Sequence, residues 1–457
     1  MPSPSLRLTR SPEGELAAAL AAIPVDLGLT REFPAEVLAA VPSPELPSAD
    51  LTGVAFVTVD PEGATDLDQA FHLERRGDGY LVHYAIADVA AFVEPGGVID
   101  AEARRRGQTI YAPDGRIPLH PPELSENAAS LLPGVDRGAY VWRFELDAAA
   151  AVTAVTLTRA RIRSRAQLTY ATVDDPLLQE IGEKRQVLEQ HRGGASLTLP
   201  ETEIERHNGR YRLVRREPLP AEGWNAQLSL MTGMAAAELM LRGGVGILRT
   251  MPPADDEAVQ RLRLQARALG HPWVEGVPYG DYLRSLDTAQ PAQLAIMHAA
   301  ASLFRGAGYT VFDDAAPDVT EQAAVGASYA HATAPLRRLV DRFVLAACEA
   351  IANDRPVPEW VRDALPSLPA AMTASGALAG QVDRRAIDTV EAAELADRVG
   401  ELFDATVISA RGAKATVQLS DPAVTATCSG ELEVGAVVRV RLETADIAAG
   451  EVRFSAV

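Results

Sequence analysis

The chain has almost no lysine. Of its 43 Lys and Arg residues only Lys184 and Lys414 are lysine, which leaves 43 − 2 = 41 arginines. Neither lysine follows a glycine, so a phosphate loop ending in Gly-Lys-Ser/Thr is excluded and no nucleotide cofactor of that kind is expected. Kinase-type and Schiff-base chemistry, each of which needs a buried lysine, is nearly excluded too. Cysteine is as scarce: Cys348 and Cys428 lie in separate regions, leaving neither a disulfide framework nor a Cys-rich metal centre and suiting a reducing cytoplasm. The opening MPSPSLRLTR lacks the apolar stretch of a secretory leader. The one uncharged run of membrane-spanning length, Ala364 to Val382, carries Pro366 and Pro369 and reads as a loop entering a helix, so no membrane partner is expected. HExxH, CxxC and a complete nucleophile elbow are all missing, and Gly244-Val245-Gly246 lacks the third glycine of a dinucleotide loop.

What is present is an acidic chain of 457 residues with a net charge of −19, long enough for two to four domains. An acidic total does not exclude nucleic acid, because phosphate binding depends on where cations cluster. Residues 1–48 read as two short helices, around Pro12–Ala22 and Pro34–Val41, between proline-rich turns. A β-rich stretch follows, with the buried run VAFVTV (54–59) and a hairpin signal at Gly77-Asp78-Gly79. From about 224 to 352 the periodicity is helical, and from about 400 five short strands suit an OB-type barrel. The fold class is therefore α+β, divided as 1–48, 49–397 and 398–457.

Three constellations carry possible chemistry. Asp60 ends an apolar strand, and a turn-rich loop returns Asp66 and Asp68, so that three hard carboxylates converge as Mg²⁺ or Mn²⁺ requires; the plainer reading is an Asp-rich surface turn. Tyr329, His331, Thr333, Arg337 and Arg338 surround Pro335, which suits the first turn of a helix with Ala334 near its cap, a favourable place for a phosphate. The alternative is an exposed helix with an Arg337–Asp341 pair at i, i+4. Arg159, Arg161, Arg163 and Arg165 share one face of a strand, either a solvated face or a groove for a phosphate backbone. His72, His83 and His298 sit in apolar-patterned segments and read as core or edge histidines.

These motifs, in this order, resemble the ribonuclease II family of RNB exoribonucleases. The family's D-x5-D-x-D-D is similar to Asp60, Asp66 and Asp68, followed by Gln69 where a fourth Asp is the rule. Its H-I-A-D-V strand is matched by His83 to Val89. A later R-x-x-S-x-Y stretch is matched by Arg106 to Tyr111, and its Y-x-H-F-T-S-P-I-R-R-Y-x-D by Tyr329 to Asp341. The resemblance implies processive 3′→5′ degradation of single-stranded RNA to nucleoside 5′-monophosphates with Mg²⁺ or Mn²⁺; a monomer is expected. It places the metal on Asp60, Asp66 and Gln69, with Asp68 holding metal or orienting the water, the scissile phosphate on Arg337 and a stacked base on Tyr111, and makes the arginine ladder of 159–165 an RNA contact. Gln69 removes one charge, which implies a raised Mg²⁺ requirement or a preference for Mn²⁺. The family's late glutamate falls on Ile387, with Asp388 or Glu391 as substitutes. The two cold-shock domains that usually precede the catalytic domain do not fit in 48 residues, which implies an open channel mouth with anchoring by arginines. The alternative from the same departures is a catalytically impaired RNA-binding or scaffold member.

Overall fold

The computed structural model describes residues 15–113, 115–195, 201–207, 210–287, 290–300, 303, 306–419, 422 and 424–457, with backbone only at 201–207, 210–215, 291 and 298. The reading of His298 thus lies outside the described side chains. Two helices open the chain, α1 (Glu15–Asp26) and α2 (Ala35–Ala39). Strands β1 (Phe56–Asp60), β2 (Gln69–Arg76) and β3 (Gly79–Ala87) follow, then α3 (Val98–Arg106), a small hairpin of β4 (Ile110–Ala112) and β5 (Gly115–Ile117), and the long strands β6 (Asp136–Leu146) and β7 (Val152–Thr169).

Strands β1, β2, β3, β6 and β7 close into a barrel in that order, and β1 returns against β7 in parallel. The β2–β3 turn falls at Gly77-Asp78, as the glycine signal predicts; Gly77 is left-handed at φ +59°, and a Cβ on Gly79 would meet the Leu146 carbonyl. Every residue of β3 is buried, because one face (Tyr80, Val82, Tyr84, Ile86) packs against helices while the other (Ala85, Ala87) meets Phe56, Ala70, Ala139 and Ile162.

The middle of the chain is helical with strands inserted. It comprises α4 (Pro176–His191), the hairpin β8 (Glu201–His207) and β9 (Arg210–Arg216), α5 (Pro220–Gly243), β10 (Val245–Thr250), α6 (Asp256–Ala268), α7 (Tyr279–Arg284), α8 (Pro291–Ala300) and β11 (Gly308–Asp313). The short pair β12 (Glu321–Gln322) and β13 (Ala327–Ser328) leads to α9 (Leu339–Ala352), α10 (Glu359–Ala364) and α11 (Leu368–Leu395). The purely helical expectation for 224–352 is corrected: Gly244 ends α5 in the left-handed conformation, and the apolar run after it pairs with β11 as a strand. The Ala364–Val382 run is largely helix, as the first half of α11, and no described helix is long and apolar enough to cross a membrane.

The tail forms a second closed barrel from β14 (Leu402–Arg411), β15 (Lys414–Leu419), β16 (Thr425–Ser429), β17 (Val437–Asp446) and β18 (Glu451–Ala456). Its order β14-β15-β16-β18-β17, with β16 and β18 parallel, is the OB arrangement expected from the five-strand pattern. Ala392 and Leu395 of α11 complete its core and bind the two halves together.

Candidate active site

The site forms where β1 stops. The turn after Asp60 is made by Pro61–Ala64, with Gly63 left-handed at φ +77°. The returning loop is pinned by Ser130, whose hydroxyl accepts from Leu67 N–H at 2.9 Å and donates to the Thr65 carbonyl at 2.7 Å. Asp66 is thereby held where its charge acts on both Asp60 and Asp68.

Asp68 is nearly inaccessible and both its oxygens are taken. Oδ1 accepts from Leu336 N–H at 2.8 Å, and Oδ2 faces Arg337 Nε at 3.4 Å. Burial pushes its carboxyl well above the ordinary range, against the pull of Arg337 and the Leu336 amide. Asp60 is different. Its Oδ2 is buried without a hydrogen-bond partner, and burial together with the neighbouring Asp66 charge pushes its carboxyl up to about 7, opposed by Arg337. Asp66 pairs with Arg116 Nη1 at 2.5 Å; Nη2 of the same guanidinium reaches Thr65 Oγ1 at 2.5 Å and Glu126 Oε1 at 2.8 Å. Tyr111 lies directly opposite Arg116 across the β4–β5 hairpin. It remains 37% exposed, and its hydroxyl is pushed up by burial and by Asp66. Tyr170, just beyond β7, bonds Asn225 and feels the Asp60 charge, its hydroxyl held at about 12 chiefly by burial.

The segment around Pro335 departs from the expected helix start. Residues 335–337 form a turn, with Arg337 and Arg338 N–H both donating to the Ala334 carbonyl, and α9 begins only at Leu339. The reason is a short bridge to the strand-like segment beside α3: Arg338 pairs with Gln108, Thr109 N–H donates to the Arg337 carbonyl, and Leu339 N–H donates to the Gly107 carbonyl. Asp341 then holds Arg338 (2.8 Å) and the Ala334 amide (2.7 Å), so the i, i+4 pairing with Arg337 is replaced by an i, i+3 pair with Arg338. Arg337 is left pointing at Asp68, a third of its side chain exposed.

The other predicted residues form a supporting layer. His331 Nδ1 contacts the Tyr309 hydroxyl at 2.8 Å and is kept neutral by burial and by Arg338; the Tyr329 ring stands edge-on to it. Thr333 is buried, and its carbonyl accepts from the Gln69 side-chain amide. Gln69, expected among the metal ligands, gives its Nε2 to this tether between β2 and the 333–337 segment, and its Oε1 is the atom a cation would take.

The arginine ladder has the predicted spacing but little free charge. Arg159 binds buried Asp88 at 2.5 Å, Arg161 binds Asp50 at 2.6 Å, Arg163 binds Asp136 at 2.6 Å, and Arg165 donates to the Thr52 carbonyl at 2.5 Å. Asp388 and Glu391 have other neighbours: Asp388 lines a cleft with α1 and the β17–β18 turn, and Glu391 accepts from Thr425 N–H at 3.0 Å. Arg116, Thr65 and Glu126 were not singled out in the sequence; the available signal was the position of Arg116 just past the Asp-Gly turn that follows Tyr111.

Among the described residues, no three His, Cys, Asp or Glu side chains gather closely enough to hold an ion by themselves. Mg²⁺ does not require that, since it usually takes one or two carboxylates and completes its octahedron with water and substrate phosphate. The unpartnered, desolvated oxygen of Asp60 beside Asp66 fits such a hard cation, whereas both oxygens of Asp68 are engaged with protein; Gln69 commits only its amide nitrogen.

Carboxylates at the end of a barrel strand, faced by an arginine from a later turn and followed by an OB barrel, define a nuclease-type fold. The RNB domain matches residues 48–353, and the RNase II-type exonuclease C-terminal S1 domain matches residues 401–457. The chain accordingly belongs to the RNB exoribonuclease family. It is 29% identical over 325 residues to a probable exosome complex exonuclease RRP44 of Caenorhabditis elegans, covering 65% of this chain and 34% of that one. It is 38% identical over 149 residues to exoribonuclease 2 of Serratia proteamaculans, covering 32% and 23%. These matches span about a third or less of each relative's length. Among solved structures, Mycoplasma genitalium RNase R in complex with ribose-methylated single-stranded RNA superposes with a TM-score of 0.85 at 18% identity, over 97% of this chain and 78% of that one. Yeast Ssd1, a pseudonuclease, superposes at 0.74 with 15% identity, over 94% and 58%.

Proposed function

We propose that the chain is an active 3′→5′ exoribonuclease that hydrolyses single-stranded RNA processively to nucleoside 5′-monophosphates, with a divalent ion on Asp60 and Asp66. Polarity, processivity and product rest on family membership; the chemistry rests on one observation above the rest, the buried Asp60 carboxyl with an unpartnered oxygen beside Asp66 and within the field of Arg337. A burial of this kind is costly unless something positive completes it. The bound ion, Mg²⁺ or Mn²⁺, would supply an activated water and charge neutralisation at the phosphate.

The chain's own groups would act as follows. Arg337, partly exposed, donates to the scissile phosphate as negative charge builds there. Asp68, with both oxygens engaged, sets the direction of the Arg337 guanidinium and so acts as a positioning residue. Tyr111 stacks on a base near the 3′ end, a contact that tolerates any sequence. Tyr170 and Asn225 stand at the Asp60 side, where a ribose or phosphate of the terminal nucleotide would lie.

A second reading, an RNA-binding protein without turnover, is favoured by Gln69, which brings no charge to the acids, and by Ile387 at the position of the late glutamate. A 5′-labelled oligo(A) incubated with increasing Mg²⁺ or Mn²⁺ separates the two. Mononucleotide release, with the labelled strand shortening from its 3′ end and the reaction lost in Asp60→Asn, is the expected result. Binding without release at any metal concentration would falsify the nuclease reading.

A further inference from the structure

The hairpin that carries Tyr111 and Arg116 has only three residues in each strand and pairs with no other strand among the described residues. Such a hairpin is not stable alone, so something must hold it. Its paired positions divide cleanly. Tyr111 and Arg116 face the acids, while Ile110, Ala112 and Ile117 belong to a buried cluster with Leu16, Leu20 and Ile23 of α1 and Val382, Ala386 and Val390 of α11. The α1 residues recur at i, i+4 and i+7, one stripe of the helix. Leu20 at the centre is completely buried.

A second clamp works from the segment after α1. Arg106, at the end of α3, donates to the Thr30 carbonyl (3.0 Å), the Glu32 carbonyl (2.6 Å) and the Pro118 carbonyl (3.0 Å), and its guanidinium lies 3.8 Å over the Phe33 ring. Pro118 immediately follows the hairpin. Arg31 packs over Gly115 at the start of β5, 3.7 Å from where a Cβ would stand. Residues 30–33 thus grip the hairpin's flank while α1 covers its back.

We infer that the N-terminal helical element is a positioning element of the active site, holding the 110–117 hairpin so that Tyr111 meets the RNA base and Arg116 meets Asp66. The role given to Tyr111 rests on the nuclease reading above, but the anchoring of the hairpin does not. Leu20 is the residue that acts through the hairpin without touching the acids or RNA.

The test uses the full chain with Leu20→Ala, Leu20→Met and Tyr111→Ala. In Leu20→Ala, hydrogen exchange at the amides of β4 and β5 should speed about tenfold or more while the β2–β3 amides keep their protection. The KM for oligo(A) should rise about five- to tenfold, since a loosened stacking residue weakens binding, and kcat should fall by less than that, through the Arg116–Asp66 contact. Leu20→Met should restore both. In the Tyr111→Ala background, Leu20→Ala should no longer raise KM, because the helix acts through that ring. Unchanged hairpin exchange in Leu20→Ala, or an undiminished KM effect without Tyr111, overturns the inference. Should Leu20→Ala fail to fold, Ile23→Ala reads the same contact from the other end of the stripe. A parent chain that neither binds nor cleaves RNA sinks the nuclease reading, and the exchange measurement still decides whether α1 holds the hairpin.

Discussion

Glu391 is the acid whose role can be decided by charge alone. It lies within α11, 7% exposed, where the helix meets the C-terminal barrel, and one oxygen accepts from Thr425 N–H at 3.0 Å. Burial, with Asp388 and Glu394 adding repulsion, pushes its carboxyl from 4.5 to about 8. In the unfolded chain the group ionises near 4.5, while in the folded chain it stays protonated until about 8. Its contribution to stability is therefore complete below pH 4.5 and is lost as the pH rises through about 8. A difference of about 8 − 4.5 = 3.5 units, at about 1.4 kcal/mol each, sets a ceiling of about 5 kcal/mol. Glu391→Gln keeps an acceptor for Thr425 and cannot ionise. In urea unfolding at pH 5 the variant and parent should differ by about 1 kcal/mol or less, and at pH 9 the variant should be more stable by several kcal/mol. RNA turnover at neutral pH should stay within about twofold of the parent's, because this carboxyl faces Thr425 and not the catalytic acids. Parallel pH profiles, or a hundredfold loss of turnover, would refute the assignment of Glu391 to the helix–barrel junction and return it to the chemistry.

Other consequences are simpler to read. Arg337→Ala should lower kcat about 10²–10³-fold with RNA affinity reduced far less, measured by single-turnover cleavage beside equilibrium binding. Arg159→Ala leaves Asp88 buried and unpaired, so thermal or urea unfolding should show a loss of about 3 kcal/mol, largely recovered by adding Asp88→Asn. Because Arg163 is already paired with Asp136, Arg163→Ala should leave the salt dependence of RNA binding almost unchanged; a slope reduced by about one would show that the guanidinium leaves Asp136 for a phosphate.

Much of the fold was legible because local pattern and long-range packing agreed. The apolar run ending in Asp60, the Gly77-Asp78 turn and the five short tail strands each carry their signal within a few residues. The site's acids were legible for the same reason, since their spacing is local. What was not legible depends on partners far along the chain. Four arginines at alternate positions look identical whether they face a phosphate backbone or Asp88, Asp50, Asp136 and the Thr52 carbonyl; only the fold supplies those neighbours. Pro335 was a sound helix-start signal, overridden by the bridge between Arg338 and Gln108. The hold of the Thr333 carbonyl on the Gln69 amide nitrogen, between residues 264 positions apart, is invisible in the sequence for the same reason.

The scarcity of lysine takes its meaning from these partners. Arg106 serves three carbonyls, Glu102 and a ring at once; Arg159 meets Asp88 through two nitrogens; Arg116 spans Asp66, Thr65 and Glu126. Each is partly or wholly buried and each uses the planar fork, which an ammonium cannot reproduce. Many of the arginines therefore do structural work inside an acidic chain, whereas beside the acids the fold leaves Arg337 half-committed, its Nε 3.4 Å from Asp68 and a third of its side chain exposed. Substituting Arg337 by Lys keeps the charge but loses the simultaneous reach to carboxylate and phosphate, so turnover in Arg337→Lys should fall nearly as far as in Arg337→Ala. Activity close to the parent's would show instead that only the positive charge matters.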